Sequence, residues 1–193
     1  MEKLTRDKLY SLERYAQMRA GFRARVLEHK QLRQADLGPN ARLYFEDTLT
    51  VHYQVQEMLR VERIFEAHGI EEEIATYNPL IPDGHNWKAT FMLEYPDPGE
   101  RAVALGQLIG VEDRVWMQVA GCGRVYAIAD EDLERENDTK TSSVHFLRFE
   151  LDESMIHKVK RGADISAGID HPACQNQTTL PDNVRASLQA DLA

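Results

Sequence analysis

Four side chains able to bind a metal or move a proton are singled out by their placement: His29, Glu62 and His145 stand where apolar residues are expected, and His171 stands at the end of a strand. Imidazole nitrogen and carboxylate oxygen together suit zinc, iron or manganese. Without metal, a histidine and a carboxylate in one apolar pocket can serve as base and acid. Gln54, Arg19, Arg33 and Arg148 share the same unexpected placement and are candidate members of a buried polar site. No pair has a diagnostic spacing. There is no HExxH, no paired ExxH, no P-loop, no GxGxxG, no GxSxG and no CxxC, so the metal, the cofactor and the reaction are not specified.

The elements that must carry these residues follow from periodicity. On a helical wheel, residues 50–65 (TVHYQVQEMLRVERIF) place Val61, Phe65, Met58, Val51, Val55 and Leu59 on one arc. Gln54 lies between Val61 and Phe65, and Glu62 between Val51 and Val55. The first long helix has an apolar arc of Leu12, Tyr15, Met18, Phe22 and Val26, with Arg19, His29 and Arg33 inside it. An unpaired buried carboxylate is costly, so Glu62 must be neutral, paired with Arg19, His29 or Arg33, or bound to a ligand. The plainer reading is a satisfied structural network or a helix end overhanging the core, ahead of a ligand site and of a wheel drawn with the wrong boundaries. In SSVHFLRFEL (142–151), His145 shares a face with Leu147, Phe149 and Leu151, while Arg148 shares the other with Val144 and Phe146. His171 follows a strand in GIDHPAC, and the proline after it favours extended backbone.

The remaining chain reads as a helix from Thr5 or Ser11 to about residue 34, a strand at 41–46, and a helix from Asp47 or Thr48 to about His68, stopped at Gly69. A short acidic helix (71–77), a loop, a strand (88–95) and a short helix follow. Strands at 114–119 and 124–129 flank the AGCG turn, a polar loop covers 130–141, a helix starts at Asp152 or Ser154, and a strand spans 163–170. The final helix begins with Pro181 at its first position. The polar loop offers Lys140 and several hydroxyls to an anion, beside the plainer reading of a solvated loop. The expected fold is α+β: one domain over 1–193, with long N-terminal helices packed on a mostly antiparallel sheet of about five or six strands.

The chain has 193 residues, enough for a substantial core, and a formal net charge of −9. That charge argues against non-specific nucleic-acid binding and against docking on an anionic membrane. The basic run Arg14, Arg19, Arg23, Arg25, Lys30, Arg33 reads as a solvated helix face. No apolar segment has the length of a membrane span, and the N-terminus lacks a secretory h-region. Cys122 and Cys174 are far apart in sequence, so a reduced, cytoplasmic protein is the expectation.

The ordered series GPNARLYFED, QVQEMLRVERIF, TYNPLIP, SSVHFLRFEL and GIDHPA resembles an uncharacterised bacterial family, the domain of unknown function 3501, over nearly the whole chain. That family's helix reads close to QEMLRAERI, matched here by Gln56 to Ile64. Its late motif carries an aromatic where this chain has Cys174. The resemblance carries no established activity. It implies an association with rubrerythrin-like and iron–sulfur oxidoreductase partners, hence with redox or peroxide stress; the chain has no cysteine set for its own cluster. The leading reading is a non-catalytic accessory protein of a redox system. The alternative is a small metal-binding protein or enzyme using Glu62 with His29, His145 or His171. A homodimer whose packing is set by buried polar groups is a third.

Overall fold

A computed structural model describes residues 1–137 and 139–193; Asp138, in the polar loop read at 130–141, lies outside them. Ser11 caps the first helix, α1 (Leu12–Gln31), its hydroxyl accepting the Arg14 N–H. A hairpin of β1 (Gln34–Asp36) and β2 (Ala41–Phe45) leads to α2 (Thr48–Glu62). Asp47 and Thr50 cap α2 reciprocally: Asp47 Oδ1 accepts the Thr50 N–H, and Thr50 Oγ1 accepts the Asp47 N–H, both at 2.9 Å. Then come α3 (Ala67–Tyr77), β3 (Asn86–Leu93), α4 (Pro98–Gln107), β4 (Val115–Val119), β5 (Arg124–Tyr126) and β6 (Ile128–Ala129). The chain closes with β7 (Val144–Glu150), α5 (Glu153–Lys160), β8 (Ile165–His171), β9 (Cys174–Thr179) and α6 (Asp182–Gln189).

The class is α+β and every strand pair is antiparallel. The strands of the described residues form two sheets rather than one, in the orders β1-β2-β3-β7-β6 and β5-β4-β8-β9. One apolar cluster joins them, with Phe91, Leu147 and Phe149 from the first sheet, Met117, Ile165 and Ala167 from the second, and Leu105, Val159 and Leu188 from α4, α5 and α6. The strands missed in sequence are β1, three residues long, and β9, whose CQNQTT is polar at alternating half-exposed and exposed positions. Neither offers an apolar period to read. Gly168 in β8 is required by close approach: a Cβ there would lie 2.3 Å from the Trp116 ring.

The segment read as one strand at 124–129 is split between the sheets. β5 pairs with β4, whereas β6 pairs with β7 in the register Ile128↔Arg148 and Ala129↔Leu147. This switch delivers Asp130 to the side of β7 that carries His145.

The second helix ends earlier than its periodicity implies. Arg63 has φ 57, and the Ile64 N–H reaches back to the Leu59 carbonyl at 3.0 Å, which closes α2 at Glu62. This is the hydrogen bond of a Schellman ending, with arginine where glycine is usual, so the stop carries no sequence signal. Gly69, the expected stop, lies inside α3. A left-handed arginine costs about 1 kcal/mol relative to glycine. Arg63→Gly is therefore expected to raise the thermal midpoint by about 2–4 °C; a calorimetric scan with an unchanged or lower midpoint would contradict it. Among the described residues, no helix is long and apolar enough to cross a membrane.

Candidate functional site

His145 sits near the start of β7 on the first sheet's core face, 0 % exposed, with its ring tilted against Phe91. The alternation of β7 puts it there with Leu147 and Phe149, as the pattern of SSVHFLRFEL implies. Its Nδ1–H donates to Asp130 Oδ2 at 2.6 Å; a carboxylate only accepts, so Nδ1 carries a hydrogen. The other oxygen, Oδ1, accepts the Phe146 N–H at 2.9 Å and Arg135 Nη1 at 3.1 Å. Asp130 adopts φ 48, a left-handed conformation that aspartate tolerates better than most residues. Strained backbone, a backbone N–H and a guanidinium together hold the carboxylate against the imidazole.

The other nitrogen, Nε2, faces a group of oxygens. Thr141 Oγ1 is 3.0 Å away, the Ser142 carbonyl 3.1 Å, and Glu112 Oε2 3.8 Å. Thr141 Oγ1 is also 3.3 Å from Glu112 Oε2. Thr141 is fixed by its N–H to the Leu105 carbonyl, so α4 positions it. Glu112 comes from a single 3₁₀ turn, Glu112–Arg114, before β4, and is buried. Burial raises its carboxyl above the ordinary glutamate range, and the adjacent Glu136 carboxyl adds to the rise, against the opposing effect of its own backbone N–H and of His145.

Ligand atoms of Glu112, Asp130 and His145 all lie within 4.8 Å of one another. An ion roughly 2.0–2.3 Å from its donors, at tetrahedral or octahedral angles, spaces those donors about 2.8–3.8 Å apart. The separations around Nε2 fall in that range. Asp130 on Nδ1 is the carboxylate–histidine pairing that orients a ligating imidazole. The same groups without metal form a proton relay from Glu112 through Thr141 to His145.

The other residues singled out in the sequence lie elsewhere. Glu62 is exposed: it falls on the apolar side of the wheel but at the last helical position, where Val61 and Phe65, 62 % and 61 % exposed, also overhang the core. The buried polar residues of α2 are instead Thr50, in the cap, and Gln56, bonded to the backbone of Tyr10; Glu57 is partly buried. Arg19 meets Glu57, not Glu62, with two hydrogen bonds of 2.8 Å, and this pairing holds the Glu57 carboxyl down to about 2. Gln54 is exposed on the outer side of the first sheet, lining a cavity of about 340 Å³ with Tyr44, Glu46 and Tyr77. Arg148 lines a neighbouring cavity of about 340 Å³ and forks onto Glu131 at 2.9 Å. His171 has both nitrogens engaged: Nε2 donates to the Ile109 carbonyl and Nδ1 accepts the Ala173 N–H. It does not join His145, so the expected convergence of Glu62, His29, His145 and His171 does not occur.

Arg33 and His29 belong to a second buried network. Arg33, 2 % exposed, binds Asp191 at 2.6 and 3.1 Å and donates to the carbonyls of Phe45 and Glu46, with Asp47 Oδ2 at 3.3 Å from its Nε. His29 Nε2 is 2.5 Å from that same Asp47 oxygen. Burial works against the Asp47 charge, but Arg33, the Thr50 N–H and His29 outweigh it and keep its carboxyl below the ordinary range. For Asp191 burial wins over Arg33 and raises the carboxyl to about 6. Its folded value thus exceeds the ordinary 3.8, and folding takes up a proton between the two. This group's contribution to stability grows as pH falls from above 6 toward 4, by on the order of 2 kcal/mol, and is complete below its unfolded value. In urea titrations, wild type minus Asp191→Asn should rise over that window; a flat difference would refute the assignment.

Of the site residues, only His145 was legible in the sequence. Glu112, Asp130 and Thr141 sit in turns and a polar run, where acids and hydroxyls are ordinary. The one faint signal is Asp130 directly after an apolar strand.

No curated protein matches the sequence. A crystal structure of a protein of unknown function from Burkholderia pseudomallei K96243 is similar over the full length of both chains, at 49 % identity and a TM-score of 0.94. The sequence also matches, over residues 3–192, the family described as protein of unknown function (DUF3501). A match over that length shows membership: this chain belongs to the DUF3501 family.

Proposed function

We propose that the chain is a small metal-binding protein whose centre is built on His145 Nε2 and Glu112, with Thr141 Oγ1 and the Ser142 carbonyl completing the donors. The observation that carries this reading is the grouping of one nitrogen and three oxygens at 3.0–3.8 Å around a fully buried imidazole clamped by Asp130. One nitrogen and several oxygens without thiolate favour manganese, iron(II) or zinc over softer metals. Binding requires Glu112 as carboxylate, so its raised pKa makes affinity fall with acidification sooner than an ordinary glutamate would.

Metal analysis of untagged protein, followed by equilibrium dialysis of chelator-treated protein against manganese and zinc, tests the proposal. The expected result is about one ion per chain in wild type and binding at least 100-fold weaker in Glu112→Gln. Gln preserves shape at a site already inclined to neutrality. Wild-type protein that binds neither ion with measurable affinity would end the proposal.

A second reading is an accessory role docking to an oxidoreductase or rubrerythrin-like protein. It is favoured by the exposed Val61 and Phe65 at the end of α2. Co-purification of a redox protein that is lost in a Val61→Asp, Phe65→Asp variant supports it; equal recovery by the variant, or recovery of none, counts against it. Light scattering separates it from self-association through the same residues.

A further inference from the structure

Thr141 and Ser142, which touch His145 Nε2, also line an open cavity of about 420 Å³. Arg101 enters it from α4, and Arg135 and Lys140 from the loop before β7. Asn137, Thr141, Ser142 and Ser143 add amide and hydroxyl donors, and none of the described residues lining it is acidic. Three cations converging in this way contrast with a chain of net charge −9. Arg135 is pre-positioned: Asp130 and Asp132 hold its guanidinium at 2.5–3.1 Å, and it stacks 4.6 Å over the Phe146 ring. Arg135 and Thr141 belong to both places at once, since Arg135 steadies Asp130 behind His145 and Thr141 Oγ1 touches Nε2. Fixed guanidinium and hydroxyl donors beside an exposed lysine are the groups that recognise oxyanions. The volume suits a small metabolite rather than a polymer.

We propose that this cavity is the oxyanion subsite of the metal centre, taking a small molecule that bears a phosphate or carboxylate group. The proposal deepens the metal reading and rests on it for the second half of the site. Calorimetric titration of the full chain with inorganic phosphate, and separately with succinate, tests it and distinguishes the two anion sources. Saturable binding of at least one anion is expected, weakened at least tenfold in an Arg101→Ala, Lys140→Ala variant and unchanged in Arg124→Ala, which removes a cation from the other sheet. Both substituted cations are exposed, so the variant retains its core. Saturation by neither anion, or equal binding by the double variant, overturns the proposal. Failure of the metal reading is recorded separately, as absence of metal from the same wild-type samples. Anion binding that still depends on Arg101 and Lys140 there upholds the subsite and rejects only the metal.

Discussion

Arg33→Met is expected to lower the free energy of unfolding by about 3–5 kcal/mol. The substitution keeps an unbranched chain of similar length in a site that is 2 % exposed, so little volume is lost. What it removes is the one cation lying between two buried carboxylates, Asp191 at 2.6 Å and Asp47 at 3.3 Å. It also leaves the Phe45 and Glu46 carbonyls without this donor. Removing one partner of a buried pair costs much more than the pair contributes, because the remaining charge is neither solvated nor matched. The loss is large against the 5–15 kcal/mol typical of whole domains. Urea titration at neutral pH measures it, and a change below about 1 kcal/mol would show that water or His29 compensates the carboxylates. Because Asp191 lies two residues beyond α6 and ties it to Arg33, the same variant should expose the C-terminal helix to proteolysis first.

Asp130→Asn is expected to weaken metal binding about 10–100-fold without abolishing it, with a separate stability loss of about 1–3 kcal/mol. Asparagine tolerates the left-handed backbone as aspartate does, so φ 48 is not the source of the effect. The source is donor count. The two oxygens of Asp130 accept from His145 on one side and from Phe146 and Arg135 on the other. An amide has one acceptor and must turn its NH₂ toward one set of donors. Either His145 loses the group that sets its ring hydrogen, or the Phe146 N–H and Arg135 lose theirs. Glu112→Gln, by contrast, removes a proposed ligand and should abolish binding at comparable metal concentrations. Dialysis of both variants side by side measures the difference; equal affinity of Asp130→Asn and wild type would remove Asp130 from the centre.

The two networks differ in how far they can be read in advance. His145 and Arg33 are conspicuous because each interrupts an apolar period, one on a strand and one near a helix end. Their partners are not. Asp191, Asp47, Glu112 and Asp130 lie at caps, turns and strand ends, positions where acids are common for reasons unrelated to any site. Glu62 shows the opposite failure. Its wheel position is correct, but an arginine closes the helix in a left-handed conformation, and periodicity contains no information about where a helix outruns its neighbours.

The sequence alone determined the α+β class, the antiparallel pairing, the two faces of β7 and the burial of His145, because these depend on local hydrophobic period and turn chemistry. Tertiary structure alone decided which carboxylate meets which histidine. That choice hangs on the switch of one strand between two sheets at Ala127, which brings Asp130 to β7, and on the 3₁₀ turn that carries Glu112 to the same ring. Such contacts join residues 15 and 33 positions apart, Asp130 and Glu112 to His145, and hydrophobic periods of two or 3.6 residues do not encode them.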